Sequence, residues 1–99
     1  MVSDLIVSAL VTDLMDRSKL STAIAGVQFQ LADDADVVIV DLAREPAIAE
    51  IRASHPNARI VAYGSHVDTQ SLDAARAAGA DDVMPRSKFF RDPAAAAHR

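Results

Sequence analysis

An α/β fold around a mostly parallel sheet is the class this sequence predicts, and three observations predict it. Short apolar runs recur along the chain at Leu5–Val11, Val27–Leu31, Asp36–Val40 and Arg59–Tyr63, with a weaker one at Asp82–Pro85. Three of the runs are continuous and rich in β-branched residues instead of strictly alternating, which is how a strand buried on both faces reads. Helical patterns lie between them, and strands alternating with helices imply right-handed βαβ crossovers.

Each element follows from its local chemistry. The first run, LIVSALV, leads to Thr12-Asp13, where a helix opens and continues to about Ala25 with Leu20, Ala23, Ile24 and Val27 on one stripe. The second run, VQFQL, is separated from DVVIV by only Ala32-Asp33-Asp34-Ala35. A parallel crossover ordinarily takes a dozen or more residues. The expectation is therefore a distorted edge, joined by an extended connection or a hairpin, with no helix between the two runs. The next helix is expected to begin near Glu45-Pro46, because proline is favoured at the first helical position. It turns Ile48 and Ile51 inward and stops before Pro56, since the residue before a proline is biased away from helical geometry. A further helix starts at Asp68 or Thr69 as N-cap and ends at Ala78 with Gly79 beyond it. After DVMP, residues 89–99 hold Phe89, Phe90 and four consecutive alanines, with room for about two helical turns.

The chain has 99 residues, the size of one domain, read as spanning 1–99. Alanine supplies 20 of its apolar positions, so the core is small. A net charge of −4 argues against a dedicated binder of nucleic acid or anionic membrane. With no cysteine there is no disulfide, thiolate metal site or cysteine nucleophile. The start Met-Val-Ser-Asp lacks the basic segment of a signal peptide, and the Leu5–Val11 run is too short to span a bilayer, so a cytoplasmic protein is expected. Three glycines cannot build a dinucleotide fingerprint, and no phosphate-binding loop or nucleophile elbow occurs. His55, His66 and His98 lie in unrelated segments, without the spacing of metal ligands.

In an open parallel sheet, ligands gather outside the carboxyl ends of the strands. The residues expected there are Thr12, Asp13, Asp41, Gly64, Ser65, His66, Arg86, Ser87 and Lys88. Carboxylates, a hydroxyl and a cation converging on one rim are the groups that hold Mg²⁺ and a phosphoryl group. Plainer roles compete with each. An Asp opening a helix is commonly its N-cap, and Asp41 caps a loop or pairs with Arg44 or Arg86. Ser65 and His66 also suit a simple turn. Adjacent acids such as Asp33-Asp34 and Asp81-Asp82 are normally solvated, and Phe89 and Phe90 either dock a partner or pack on their own sheet.

Two stretches, ADVVIVDL (Ala35–Leu42) and AARAAGADDVMPRSKF (Ala74–Phe89), resemble the receiver domains of two-component response regulators, and the resemblance extends over about residues 4–89. It implies a flavodoxin-like, receiver-like doubly wound parallel sheet of four to five strands in the order 2-1-3-4-5. In this chain the second helix is missing and the fifth shortened. It also implies Asp41 as phosphoacceptor, Asp13 and Asp41 as Mg²⁺ ligands, and Gly64, Ser65 and Arg86 as phosphoryl contacts. The chain departs from the pattern at three of these places. Thr12-Asp13 stands where receivers carry two acids, and Gly64 stands where they carry Thr or Ser, with Ser65 one position late. Arg86 stands where they carry lysine, followed by Ser87 instead of proline. Arginine keeps the charge but not the geometry. The resulting expectation is a degenerate, stand-alone receiver-like module, with phosphorylation lost or vestigial, that is not an enzyme and works through protein–protein contact. Its alternative is a working single-domain regulator phosphorylated on Asp41 by a histidine kinase with Mg²⁺. The expected partner is a protein or a second copy, paired through the helix-4, strand-5 and C-terminal face with Phe89 and Phe90. Neither nucleic acid nor membrane is expected as a partner.

Overall fold

Four of the apolar runs become strands: β1 (Val7–Leu10), β2 (Val37–Asp41), β3 (Arg59–Gly64) and β4 (Asp82–Pro85). They come from a computed structural model that describes residues 5–98. Met1–Asp4 and Arg99 lie outside the described residues, and with them the reading of the extreme N-terminus and the last residue of the expected C-terminal helix. The strands pair in parallel in the order β1-β2-β3-β4, with Val7 opposite Val37, Val37 opposite Arg59 and Val61 opposite Asp82. All five residues of β2 are buried, as its unbroken VVIV requires of a strand covered on both faces.

The second run, Val27–Leu31, forms no strand of its own. It touches the outer edge of β1 through one parallel bridge, Ser8 to Gln28. The Ala9 N–H donates to the Gln28 carbonyl at 2.7 Å, and the Gln28 N–H to the Val7 carbonyl at 2.9 Å. It thus lies outside β1, the place the doubly wound order assigns to it, and the hairpin alternative falls away. The short connection explains the reduction. The Ala32 N–H bonds the Ser8 hydroxyl at 3.0 Å and the Asp36 N–H bonds the Ile6 carbonyl at 2.8 Å, so the chain crosses the start of β1 directly and enters β2 without a helix.

The helices are α1 (Leu14–Ala23), α2 (Ile48–Ser54), α3 (Thr69–Ala78), α4 (Arg86–Phe89) and α5 (Pro93–His98). On one face of the sheet, Leu20 and Ile24 of the α1 segment and Phe89, Ala96 and Ala97 pack on Val7, Ala9, Ile39, Val61 and Tyr63. On the other, Ile48 and Ile51 of α2 and Leu72 and Ala75 of α3 pack on Val38, Val40, Ile60 and Ala62. The C-terminal segment, though short, therefore covers its face: Val61 and Tyr63 beneath it have no exposed surface.

The caps of α3 follow the sequence. The Asp68 carboxylate accepts the Ser71 N–H at 3.1 Å, and Gly79 closes the helix at φ 117°, a left-handed conformation that suits glycine. The start of α2 differs from expectation. Leu42–Arg44 form a separate 3-10 turn ending in Glu45 at φ 49°, so the helix begins at Ile48 and not at Pro46. Asp81 and Asp82 are not simply solvated. Asp81 accepts the Ile60 N–H at 2.8 Å and pairs with Arg52, while Asp82 pairs with Arg59 at 3.1 Å. Arg52 also donates to the carbonyls of Ala58 and Gly79, tying α2 to the start of β3 and the end of α3. No helix among the described residues is long and apolar enough to cross a membrane.

Candidate functional site at the carboxyl ends of the strands

Because the four strands run parallel, their carboxyl ends share one rim, and a cavity of about 450 Å³ opens there. Asp13, Asp16, Asp41, Tyr63, Ser65 and Arg86 all line it. Its organising group is Asp16, a residue the sequence reading did not single out. Asp16 has no exposed surface, whereas its neighbours Leu14 and Met15 are 79% and 70% exposed. A buried carboxylate needs partners, and three donors supply them. Arg86, just beyond β4, donates from Nη1 to Oδ2 at 2.6 Å and from Nη2 to Oδ1, and the Tyr63 hydroxyl donates to Oδ2 at 3.1 Å. This is the paired fork geometry that makes arginine–carboxylate contacts strong.

Aromatic rings back the pair. The Tyr63 ring stacks on Phe89 with centroids 4.8 Å apart, and Phe90 meets both edge-on. The Arg86 guanidinium lies 4.8 Å from the Phe90 centroid and 5.8 Å from that of Tyr63, a favourable placement for a cation over ring faces. The electrostatics follow from the contacts. The Arg86 hydrogen bonds hold the Asp16 carboxyl below its ordinary 3.8 against the opposing effect of burial. Burial first, then the carboxylates of Asp41 and Asp16, pushes the Tyr63 phenol well above its ordinary 10. Arg86 is held more firmly protonated by Asp16.

The residues expected at the rim are brought together there, with altered roles. Asp13 is the N-cap of α1, its Oδ1 accepting the Asp16 N–H at 3.0 Å. Asp41 is only 7% exposed and its Oδ1 accepts the Ala43 N–H at 3.0 Å, so it caps the 3-10 turn and does not pair with Arg86. Gly64 ends β3, and a Cβ there would lie 3.2 Å from both Cβ and Cδ1 of Leu42. The Ser65 hydroxyl accepts the Val67 N–H at 3.4 Å within the following turn. Phe89 has no exposed surface and packs in the core on this face of the sheet. Phe90 is half-buried against the same core. The physical reason is the Tyr63 ring, which gives Phe89 a face to stack on inside the chain.

Asp13 and Asp41 each spend a carboxylate oxygen on a cap, and the third acid of the rim is already neutralised by Arg86. Among the described residues no three His, Asp or Glu side chains group so as to hold a metal ion. The sequence did contain the signal for Asp16. It stands four, seven and eight positions before Leu20, Ala23 and Ile24, on the stripe that faces the sheet, and an acid on a buried stripe requires a cation from elsewhere.

No family model and no curated protein matches the chain. Two solved structures are similar to it. One is a response regulator from Thermotoga maritima, 19% identical, with a TM-score of 0.65, covering 83% of this chain and 84% of that one. The other is a pilus assembly-related protein from Burkholderia pseudomallei, 19% identical, with a TM-score of 0.68, covering 92% of this chain and 84% of that one. The chain has the receiver-domain fold. Within it, the four parallel strands flanked by helices form a flavodoxin-like sheet reduced at its β1 edge.

Proposed function

We propose that this chain is a degenerate receiver-like signalling module that acts by binding another protein and not by turnover, with phosphorylation of Asp41 lost. The Arg86–Asp16 pair carries the reading. A phosphoryl switch needs a free cation and a metal-binding set of acids at this rim, and here the cation is already bound to both oxygens of a buried acid. Two further features support it: Asp41 is largely buried and its Oδ1 caps the 3-10 turn, and Gly64 brings no hydroxyl, with Leu42 tight against the position of a Cβ there.

The test is an amide NMR spectrum of the labelled protein, titrated with Mg²⁺ and then with beryllofluoride. A silent titration over a well-dispersed spectrum is the expected result. Saturable shifts centred on Asp13, Asp41 and Arg86 that spread into β3 and β4 would overturn the reading and restore a phosphoacceptor served by a histidine kinase.

A further inference from the structure

A second concavity, of about 390 Å³, lies beside the carboxyl end of β1. Leu10, Phe29, Pro46, Ala47 and Ile51 give it a largely apolar wall, and Arg17 and Arg44 stand in the same lining. Two arginines stand together on it. Arg52, Arg59, Arg76 and Arg86 are each matched by an aspartate, whereas Arg17 and Arg44, like Arg91, Lys19 and Lys88 elsewhere, have no Asp or Glu partner among the described residues. Arg17 spends its Nε on the Val11 carbonyl and lies 5.0 Å from the Phe29 ring centroid, and Arg44 is exposed on the 3-10 turn. In a chain of net charge −4, an apolar groove carrying two guanidiniums without carboxylate partners is complementary to an acidic apolar ligand.

We infer that this groove docks an amphipathic helix of a partner protein, its apolar face seated on Leu10, Phe29 and Ile51 and flanking carboxylates reaching Arg44 and Arg17. A helix fits better than an added strand. The wall is assembled from three separate segments, Leu10 of β1, Phe29 of the second run and Ile51 of α2, which suits the apolar face of a helix laid across them. The inference names the class of partner for the binding role proposed above and rests on that role, but not on the state of the rim. A beryllofluoride response would overturn the lost switch and leave the groove standing.

The probe is a displayed library of helical peptides with apolar residues fixed at i, i+3, i+4 and i+7 and all other positions randomised, selected on the full chain. Selected peptides are expected to carry Glu or Asp beside the apolar stripe and to shift the amides of Leu10, Phe29 and Ile51. Arg44→Glu should weaken them about tenfold, and replacing the peptide's flanking acid by lysine should restore binding to that variant. Ala47→Glu, at an exposed position of the wall, should abolish binding independently. Failure to select binders, binders indifferent to Arg44→Glu, or shifts confined to another surface would each overturn the inference. So would self-association of the chain that Ala47→Glu removes, which would assign the groove to a second copy.

Discussion

Arg86 closes a two-pronged hydrogen bond on Asp16 across 70 positions of chain, and the contact fastens the first turn of α1 to the end of β4. Asp16 is fully buried and also receives the Tyr63 hydroxyl, while the Arg86 side chain is 45% exposed. Removing the acid leaves a phenol and a guanidinium without their acceptor. Asp16→Ala is expected to lower unfolding stability by about 2–3 kcal/mol, below the full value for a dry pair because solvent screens the arginine. Arg86→Lys keeps the charge but loses the fork, and should cost about 1 kcal/mol. Urea midpoints at neutral pH check both.

The same pair shapes the acid limb of stability. Asp16 titrates below its ordinary value in the folded chain and near about 3.9 when unfolded, so the folded state binds fewer protons as the pH drops toward that range. The contribution is fully present above about pH 4 and is lost as the pH falls through the depressed folded value. Asp68, held low by Ser71, and Asp81, held low by the Ile60 amide and Arg52 against burial, act in the same direction. Asp16→Asn should therefore flatten the loss of stability below pH 4 in part and leave the curve from pH 5 to 8 parallel to that of the natural chain. Thermal midpoints across this range measure it.

Much of the fold is legible in the residues. The β-branched runs give the strands, Asp13, Asp68 and Gly79 give the helix ends, and the short stretch after Leu31 announces the missing helix. What escapes is set by long-range competition. VQFQL has the composition of a strand, yet it keeps one bridge because the connection to β2 pulls the chain across β1 at once. Pro46 suits a helix start, but Asp41 first organises residues 42–44 into their own turn. Asp16 is the instructive miss at the site. Its neighbours Leu14 and Met15 are apolar and exposed while it is polar and buried, an inversion that makes sense only once Arg86 and Tyr63 arrive from β4 and β3.

Tyr63 is the single tyrosine of a chain without tryptophan, so ultraviolet absorbance reports its ionisation alone. Burial and the nearby carboxylates hold the phenol neutral far above its ordinary value. The folded group keeps its proton where the unfolded one, near about pH 10, releases it, so stability present below pH 10 is lost as the pH rises further. The phenolate band should stay absent through pH 10 and then emerge together with loss of the far-ultraviolet circular dichroism, not before it. Tyr63→Phe keeps the stack on Phe89 and loses the bond to Asp16, at about 1 kcal/mol.

Restoring a hydroxyl at the end of β3 should fail on steric grounds. A Cβ at Gly64 lies 3.2 Å from both Cβ and Cδ1 of Leu42, and the Leu42 Cβ cannot swing away without moving the 3-10 turn. Gly64→Ser is expected to destabilise by about 1–2 kcal/mol through overpacking. In Leu42→Ala the Cδ1 contact is gone, so the double variant should lose less than the sum of the two single losses. A double-mutant cycle of urea midpoints measures this coupling, and strict additivity would remove the steric account.

Phe89 separates a core role from an interface role. Its ring is fully buried, stacked at 14° on Tyr63 and touched edge-on by Phe90. An interface residue, when truncated, changes association and leaves the stability of the single chain nearly intact. A core residue does the reverse. Phe89→Ala is expected to cost about 3–5 kcal/mol, a large share of the roughly 5–15 kcal/mol available to a small domain. Phe89→Leu, which keeps most of the volume but not the stack, should cost about 1–2 kcal/mol, and it remains folded for comparison. Sedimentation of Phe89→Leu should match that of the natural chain at every concentration. A lower association state with unchanged stability would instead return this ring to the surface.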